Sequence, residues 1–182
     1  KCLSNSGSQA KSHVPEPSTW FSFCHSESFS CKVLFVKIPY FAYGSNMHLA
    51  QMSIRCPGAR MSGLASKQGW RFMINDRGFV TAVDDPEAEV LGCLWDLTGE
   101  HWAELDRYEG VSSGFYARVK SKVVRMDTGA IVDVVAYRAT SEAPGVPAVE
   151  YADTVCEGAR TVGLPEEYVS LIESWRDGPP VP

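Results

Sequence analysis

Residues 115–138, FYARVKSKVVRMDTGAIVDVVAYR, hold two runs rich in β-branched and aromatic residues on either side of Met126-Asp127-Thr128-Gly129. Such runs favour pleated, half-buried backbone, and a short Asp/Gly-containing break between them is a hairpin signal. Strands are therefore predicted at 115–125 and 130–138. Upstream, three further strand-like pieces stand at 69–75, 79–83 and 89–97. An apolar run, Val33-Leu34-Phe35-Val36-Lys37-Ile38, reads as a buried strand leading into Tyr40–Met47, where Gly44-Ser45-Asn46 breaks it. Met47–Ile54 suits a short helix closed by Cys56-Pro57-Gly58. Two helices are predicted at the C-terminal end. The first covers 147–162 and stops at Gly163-Leu164-Pro165; the second places Tyr168, Leu171, Ile172 and Trp175 on one stripe. Strands in the middle with helices inserted and appended predict an α+β fold, a compact, mixed but largely antiparallel, barrel-like sheet with flanking helices.

The bulk composition narrows the partners. A chain of 182 residues suits one domain. The net charge is −5 and the 17 lysines and arginines are scattered, so there is no basic run to neutralise phosphates and no nucleic-acid partner is expected. No apolar stretch approaches the roughly 20 residues that span a bilayer, so no membrane partner is expected either. The six cysteines form no CxxC pair and are read as free thiols of a reducing compartment, which gives a cytoplasmic expectation. No metal-ligand spacing is present, so no metal cofactor is expected. Residues 1–31, with nine serines and no periodicity, are read as a disordered or tag-like extension to a domain at 32–178.

Chemistry is suggested first by the segment Thr98–Gly110. Thr98 is a natural N-cap, Glu100 suits the first turn and Gly110 is a stop. Trp102, Leu105 and Glu109 then fall at i, i+3 and i+7, so Glu109 points where the apolar residues point. A carboxylate there needs a partner or a purpose. It is either a helix-end residue turned back to water or paired with Arg107 or Arg118, or an acid/base group, and Asp106 is a second candidate by geometry. The second element is Tyr43-Gly44-Ser45-Asn46. Such a turn can expose consecutive N–H groups to an anion, although an ordinary strand-to-helix turn has the same composition.

Taken together, Phe41-Ala42-Tyr43-Gly44-Ser45-Asn46-Met47 and, some 60 residues later, Leu105-Asp106-Arg107-Tyr108-Glu109-Gly110-Val111 resemble the γ-glutamylcyclotransferase (AIG2-like) superfamily. Gly78–Val83, Val90–Trp95 and the tail around Gly158-Ala159-Arg160 and Gly163-Leu164-Pro165 extend the resemblance over nearly all of 38–175. The resemblance implies a cavity inside a mixed barrel, with Glu109 as the acid/base. It implies that Tyr43, Gly44, Ser45, Asn46 and Met47 hold the γ-glutamyl group. Tyr151 is expected to reach the cavity, with Tyr116 and Tyr137 as further lining candidates. The implied reaction releases 5-oxoproline from a γ-glutamyl amino acid or amine, as the substrate's α-amine attacks its own γ-carbonyl. Glutathione is less favoured, because the glutathione-specific branch usually carries a hydrophobic residue where Asn46 stands. The expected partner is the small-molecule substrate and, at most, a second copy in a homodimer.

Alternatives on the same fold are a non-catalytic small-molecule binding module and a γ-glutamyl deprotection step of a biosynthetic pathway. A serine hydrolase built on Ser45 lacks the Gly-x-Ser-x-Gly turn, since Asn46-Met47 follow the serine.

Overall fold

A computed structural model describes residues 38–180. The expected extension at 1–31 and all but the last residue of the Val33–Ile38 run lie outside the described residues. The first described strand, β1, is Ile38–Ala42. Tyr40, Phe41 and Ala42 thus belong to the strand itself, and the chain leaves it one residue before Tyr43-Gly44. Helix α1 (Leu49–Arg55) follows a 3-10 turn at Ser45–Met47. The strands β2 (Arg60–Ile74) and β3 (Val80–Leu97) come next, then helix α2 (Gly99–Tyr108). The hairpin of β4 (Tyr116–Arg125) and β5 (Ile131–Ala139) leads to helices α3 (Val149–Val162) and α4 (Glu166–Glu173).

The five strands close into a barrel in the order β1-β3-β2-β4-β5. Every pairing is antiparallel except the seam, where β1 runs parallel to β5 and Tyr40 faces Val135. The mixed, mainly antiparallel barrel is the architecture expected from the sequence, but its two longest strands are not the pieces predicted. The segment 60–68 pairs with 89–96 even though Gly63 and a polar run hide it from a propensity reading. The pieces 79–83 and 89–97 are one strand. Asp84-Asp85-Pro86, which reads as a turn, is a bulge: the register jumps from Trp70↔Asp84 to Gln68↔Glu89, and Gly69 at φ 80° takes the bend on the facing strand.

Thr98 caps α2 as expected. Its hydroxyl accepts from His101 N at 3.4 Å, and His101 Nδ1 accepts from Thr98 N at 3.3 Å, a reciprocal cap closed by histidine rather than Glu. Of the predicted stripe, Tyr168 and Ile172 in α4 and Trp175 in the turn just beyond it are buried, while Leu171 is exposed and falls off it. Cys56, Cys93 and Cys156 are buried free thiols. Among the described residues no helix is long and apolar enough to cross a membrane.

One contact decides where the functional loop sits. Helix α3 lies directly on the segment after the 3-10 turn. A Cβ added at Gly158 would stand 2.7 Å from His48 N, 3.0 Å from His48 Cα and 3.1 Å from Met47 C. Only a residue without a side chain lets these two backbones approach so closely.

Candidate active site

Glu109 is the C-cap of α2. Its N–H still bonds Leu105 O at 2.8 Å, and the chain turns sharply at Gly110, whose φ of 62° is left-handed. Trp102 and Leu105 are buried below it on the same face, as the helical spacing predicts. The carboxylate is 15% exposed, and it is paired with neither Arg107 nor Arg118. Arg107 reaches Glu104, and Arg118 grips Asp106 through two bonds of 2.7 and 2.6 Å. Asp106 also accepts from Tyr137 Oη at 2.7 Å, which fixes it as an anchor between α2 and the β4–β5 hairpin.

What does hold Glu109 is Asn46. Its Nδ2 donates to Glu109 Oε1 at 2.9 Å and to Tyr40 Oη at 2.9 Å. Its Oδ1 accepts from Arg55 Nη1 at 2.7 Å and from Gln51 Nε2 at 3.3 Å. Two cationic or amide donors on the oxygen leave the amide only one orientation, with its nitrogen toward the carboxylate. Trp95 Nε1 bonds Asn46 O at 3.1 Å and fixes the backbone as well. Asn46, expected to touch substrate, is thus the clamp on Glu109. Arg55 Nη1 stands 4.0 Å from Glu109 Oε1. Burial raises the Glu109 pKa above its ordinary value; the Asn46 hydrogen bond and the Arg55 charge pull against that rise without cancelling it.

Glu109 opens into a small chamber walled by Tyr40, Tyr43, Tyr116, Tyr137 and Tyr151. Gly44, Ser45, Asn46 and Val80 complete it. The expected loop therefore reaches the cavity except for Met47, which is wholly buried in the core and contributes no lining. Its N–H is spent on Gly44 O at 2.9 Å, the bond that closes the 3-10 turn. The N–H groups of Ser45 and Asn46 open that turn, which leaves them no acceptor within it. The expected tyrosines line the chamber with their rings, but their hydroxyls serve the frame first. Tyr116 Oη donates to Val80 O at 2.6 Å and Tyr151 Oη accepts from Val80 N at 3.1 Å, so the two clamp the backbone of one residue of β3 from both sides. Tyr43 Oη donates to Tyr137 O at 2.5 Å. Tyr40 and Tyr151, as acceptors in these bonds, each keep a hydroxyl proton to donate.

The spacing rules did not single out Tyr40, Gln51, Arg55 or Val80. Gln51 and Arg55 stand at i and i+4 on α1, so they share the face that looks back at the turn before the helix. That spacing was legible. Tyr40 carries no such mark, because its role depends on a residue six positions away across the strand end.

The chamber adjoins an outer pocket of about 280 Å³ that shares Ser45, Glu109, Tyr116 and Tyr151 with it and adds Arg77, Phe79 and Phe115. A buried, desolvated carboxylate beside N–H donors that have no acceptor in their own turn can move a proton and stabilise an oxyanion on one bound molecule.

Comparison with known proteins agrees with this fold. Residues 89–172 match the model of the AIG2-like family. The γ-glutamylcyclotransferase of Mus musculus is 31% identical over 145 residues, with 74% of this chain and 77% of that protein covered. The Homo sapiens γ-glutamylcyclotransferase is 30% identical over the same length and the same shares. A solved structure of a γ-glutamyl cyclotransferase superposes with a TM-score of 0.71 at 28% identity, covering 76% of this chain and 87% of the other.

Proposed function

The chain belongs to the γ-glutamylcyclotransferase-like superfamily, and on that premise we propose that it releases 5-oxoproline from a γ-glutamyl amino acid or γ-glutamyl amine, with Glu109 as the acid/base. The observation that carries this reading is the Glu109 carboxylate itself: buried at the chamber wall, oriented by Asn46, and raised in pKa by desolvation.

The reaction is intramolecular. The substrate's α-nitrogen attacks its γ-carbonyl carbon, forming the ring C–N bond. The carbonyl π electrons move to oxygen, and collapse of that oxyanion breaks the bond to the departing nitrogen. One proton leaves the attacking amine and one must reach the leaving amine, so a single carboxylate between the two nitrogens serves both steps. An ordinary solvated carboxylate is a weak base for an amine. Desolvation brings Glu109 nearer to the task. The N–H groups of Ser45 and Asn46 and the hydroxyls of Tyr40 and Tyr151 supply donors for the oxyanion and the substrate's α-carboxylate. Confinement where the chamber meets the outer pocket, around Glu109, favours the folded-back substrate in which the two ends meet. No protein nucleophile is required.

The test is 5-oxoproline release from a panel of γ-glutamyl dipeptides, γ-glutamyl-ε-lysine and glutathione, comparing wild type with Glu109→Gln. Release by wild type with a loss of at least ~10²-fold in kcat/KM for the variant is expected. Folded wild type that releases nothing from any member would overturn the assignment.

A further inference from the structure

The outer pocket has a cation that the acid/base machinery does not use. Arg55 is tied to Asn46 and Glu109, and its guanidinium lies 4.6 Å from the Tyr108 ring centroid. Arg77 is different. Among the described residues no carboxylate lies within ion-pair reach of it. Its guanidinium instead lies 3.4 Å from the centroid of Phe115 and 5.8 Å from that of Phe79. Stacking covers the faces of the guanidinium and leaves its edge, the fork of N–H donors, for a ligand.

The position is rigid. Arg77 sits in the β2–β3 hairpin turn, where the fully buried Asn75 accepts from Arg77 N and Phe79 N at 3.1 Å each and Gly78 N bonds Asn75 O at 2.8 Å. Phe115 is fixed from the other side. Its N–H bonds Gly110 O at 3.1 Å, one residue beyond Glu109, and a Cβ on Gly110 would meet its ring at 2.6 Å. Phe79 and Phe115 are 40% and 44% exposed, large apolar surfaces left open at the mouth of a pocket that also contains Glu109. An unpaired cation flanked by open aromatic rings, beside the group that protonates the leaving nitrogen, is a site for an anionic, partly apolar fragment.

We infer that Arg77, held between Phe115 and Phe79, is a specificity residue that selects leaving groups carrying a carboxylate next to the departing nitrogen. This rests on the cyclotransferase reading above. An α-amino acid leaving group places its carboxylate one carbon from that nitrogen, while its side chain meets the rings. A simple alkylamine offers the fork nothing, and the ε-nitrogen of lysine carries its carboxylate a whole side chain away.

The experiment compares γ-glutamyl-L-alanine with γ-glutamyl-ethylamide, which differ only by that carboxylate, in wild type, Arg77→Gln and Arg77→Lys. Wild type is expected to favour the alanine compound. In Arg77→Gln that preference falls by ~10- to 100-fold, mainly through KM, with ethylamide turnover unchanged; Arg77→Lys keeps charge without the fork and retains part of it. An equal preference in wild type and Arg77→Gln would overturn the inference and leave the cyclotransferase reading intact. Wild type that releases 5-oxoproline from neither compound would overturn both.

Discussion

Replacing Gly158 by alanine sets two known effects against each other. Gly158 lies inside α3, and alanine in a helix interior is favoured over glycine by about 1 kcal/mol. The added methyl, however, would stand 2.7 Å from His48 N, 3.0 Å from His48 Cα and 3.1 Å from Met47 C. All three are backbone atoms of one short segment, so no side chain can rotate away and α3 or the turn must move as a body. Overpacking of this kind costs roughly 1–3 kcal/mol. With backbone atoms on the far side that cannot rotate away, the cost belongs in the upper half of that range, about 2–3 kcal/mol, so the steric effect should win by about 1–2 kcal/mol, a fall in Tm of about 2–8 °C for a domain of this size. The displaced segment carries Asn46, the clamp on Glu109, so kcat/KM for 5-oxoproline release should fall by about 10-fold or more. Calorimetry and the release assay on the same preparation measure both. A Tm equal to or above wild type, the outcome helix propensity alone would give, would refute the close-packing argument.

Asn46→Ala removes a donor that favours the charged form of Glu109. The acidic limb of the kcat/KM–pH profile should therefore move upward, by about 1 pH unit for a hydrogen bond to a charged group; an unmoved or lowered limb would contradict the clamp. Glu109→Gln should also change stability with pH. A raised carboxyl pKa in the folded state means that stability present below the unfolded pKa is lost as pH rises through the folded one. Gln cannot ionise, and its oxygen can still accept from Asn46, so the variant should melt above wild type at pH 8 and close to it at pH 4. A lower Tm for Glu109→Gln at pH 8 would show that the ionised carboxylate stabilises the fold.

Sequence reading located the acid/base candidate because two local rules point at the same residue. Helical spacing put Glu109 over Trp102 and Leu105, and Gly110 ended the helix there. The β4–β5 hairpin and the glycine stop of α3 were legible for the same reason, since each is determined within a few residues. The failures are non-local. The strand at 60–68 exists because 89–96 pairs with it, and Asp84-Asp85-Pro86 stays in β3 as a bulge that Gly69 accommodates across the ribbon. Met47 was grouped with the loop by adjacency, although the 3-10 turn carries it into the core. Asn46 lines the chamber with the rest of the loop; what the sequence did not show is its further role as a clamp, which depends on donors arriving from α1 and an acceptor at the far end of α2.

The tyrosine wall has a consequence for how the site behaves as a titrating system. Burial pushes the Tyr40, Tyr43, Tyr116 and Tyr137 hydroxyls well above their ordinary range and the Tyr151 hydroxyl up to about 12. Every phenol in the chamber therefore stays neutral, a donor with a fixed dipole, through the range in which an ordinary phenol begins to ionise. Below that range the proton of the chamber wall that can come and go is the one on Glu109. A second enzymic ionisation in the activity profile would have to originate outside the chamber.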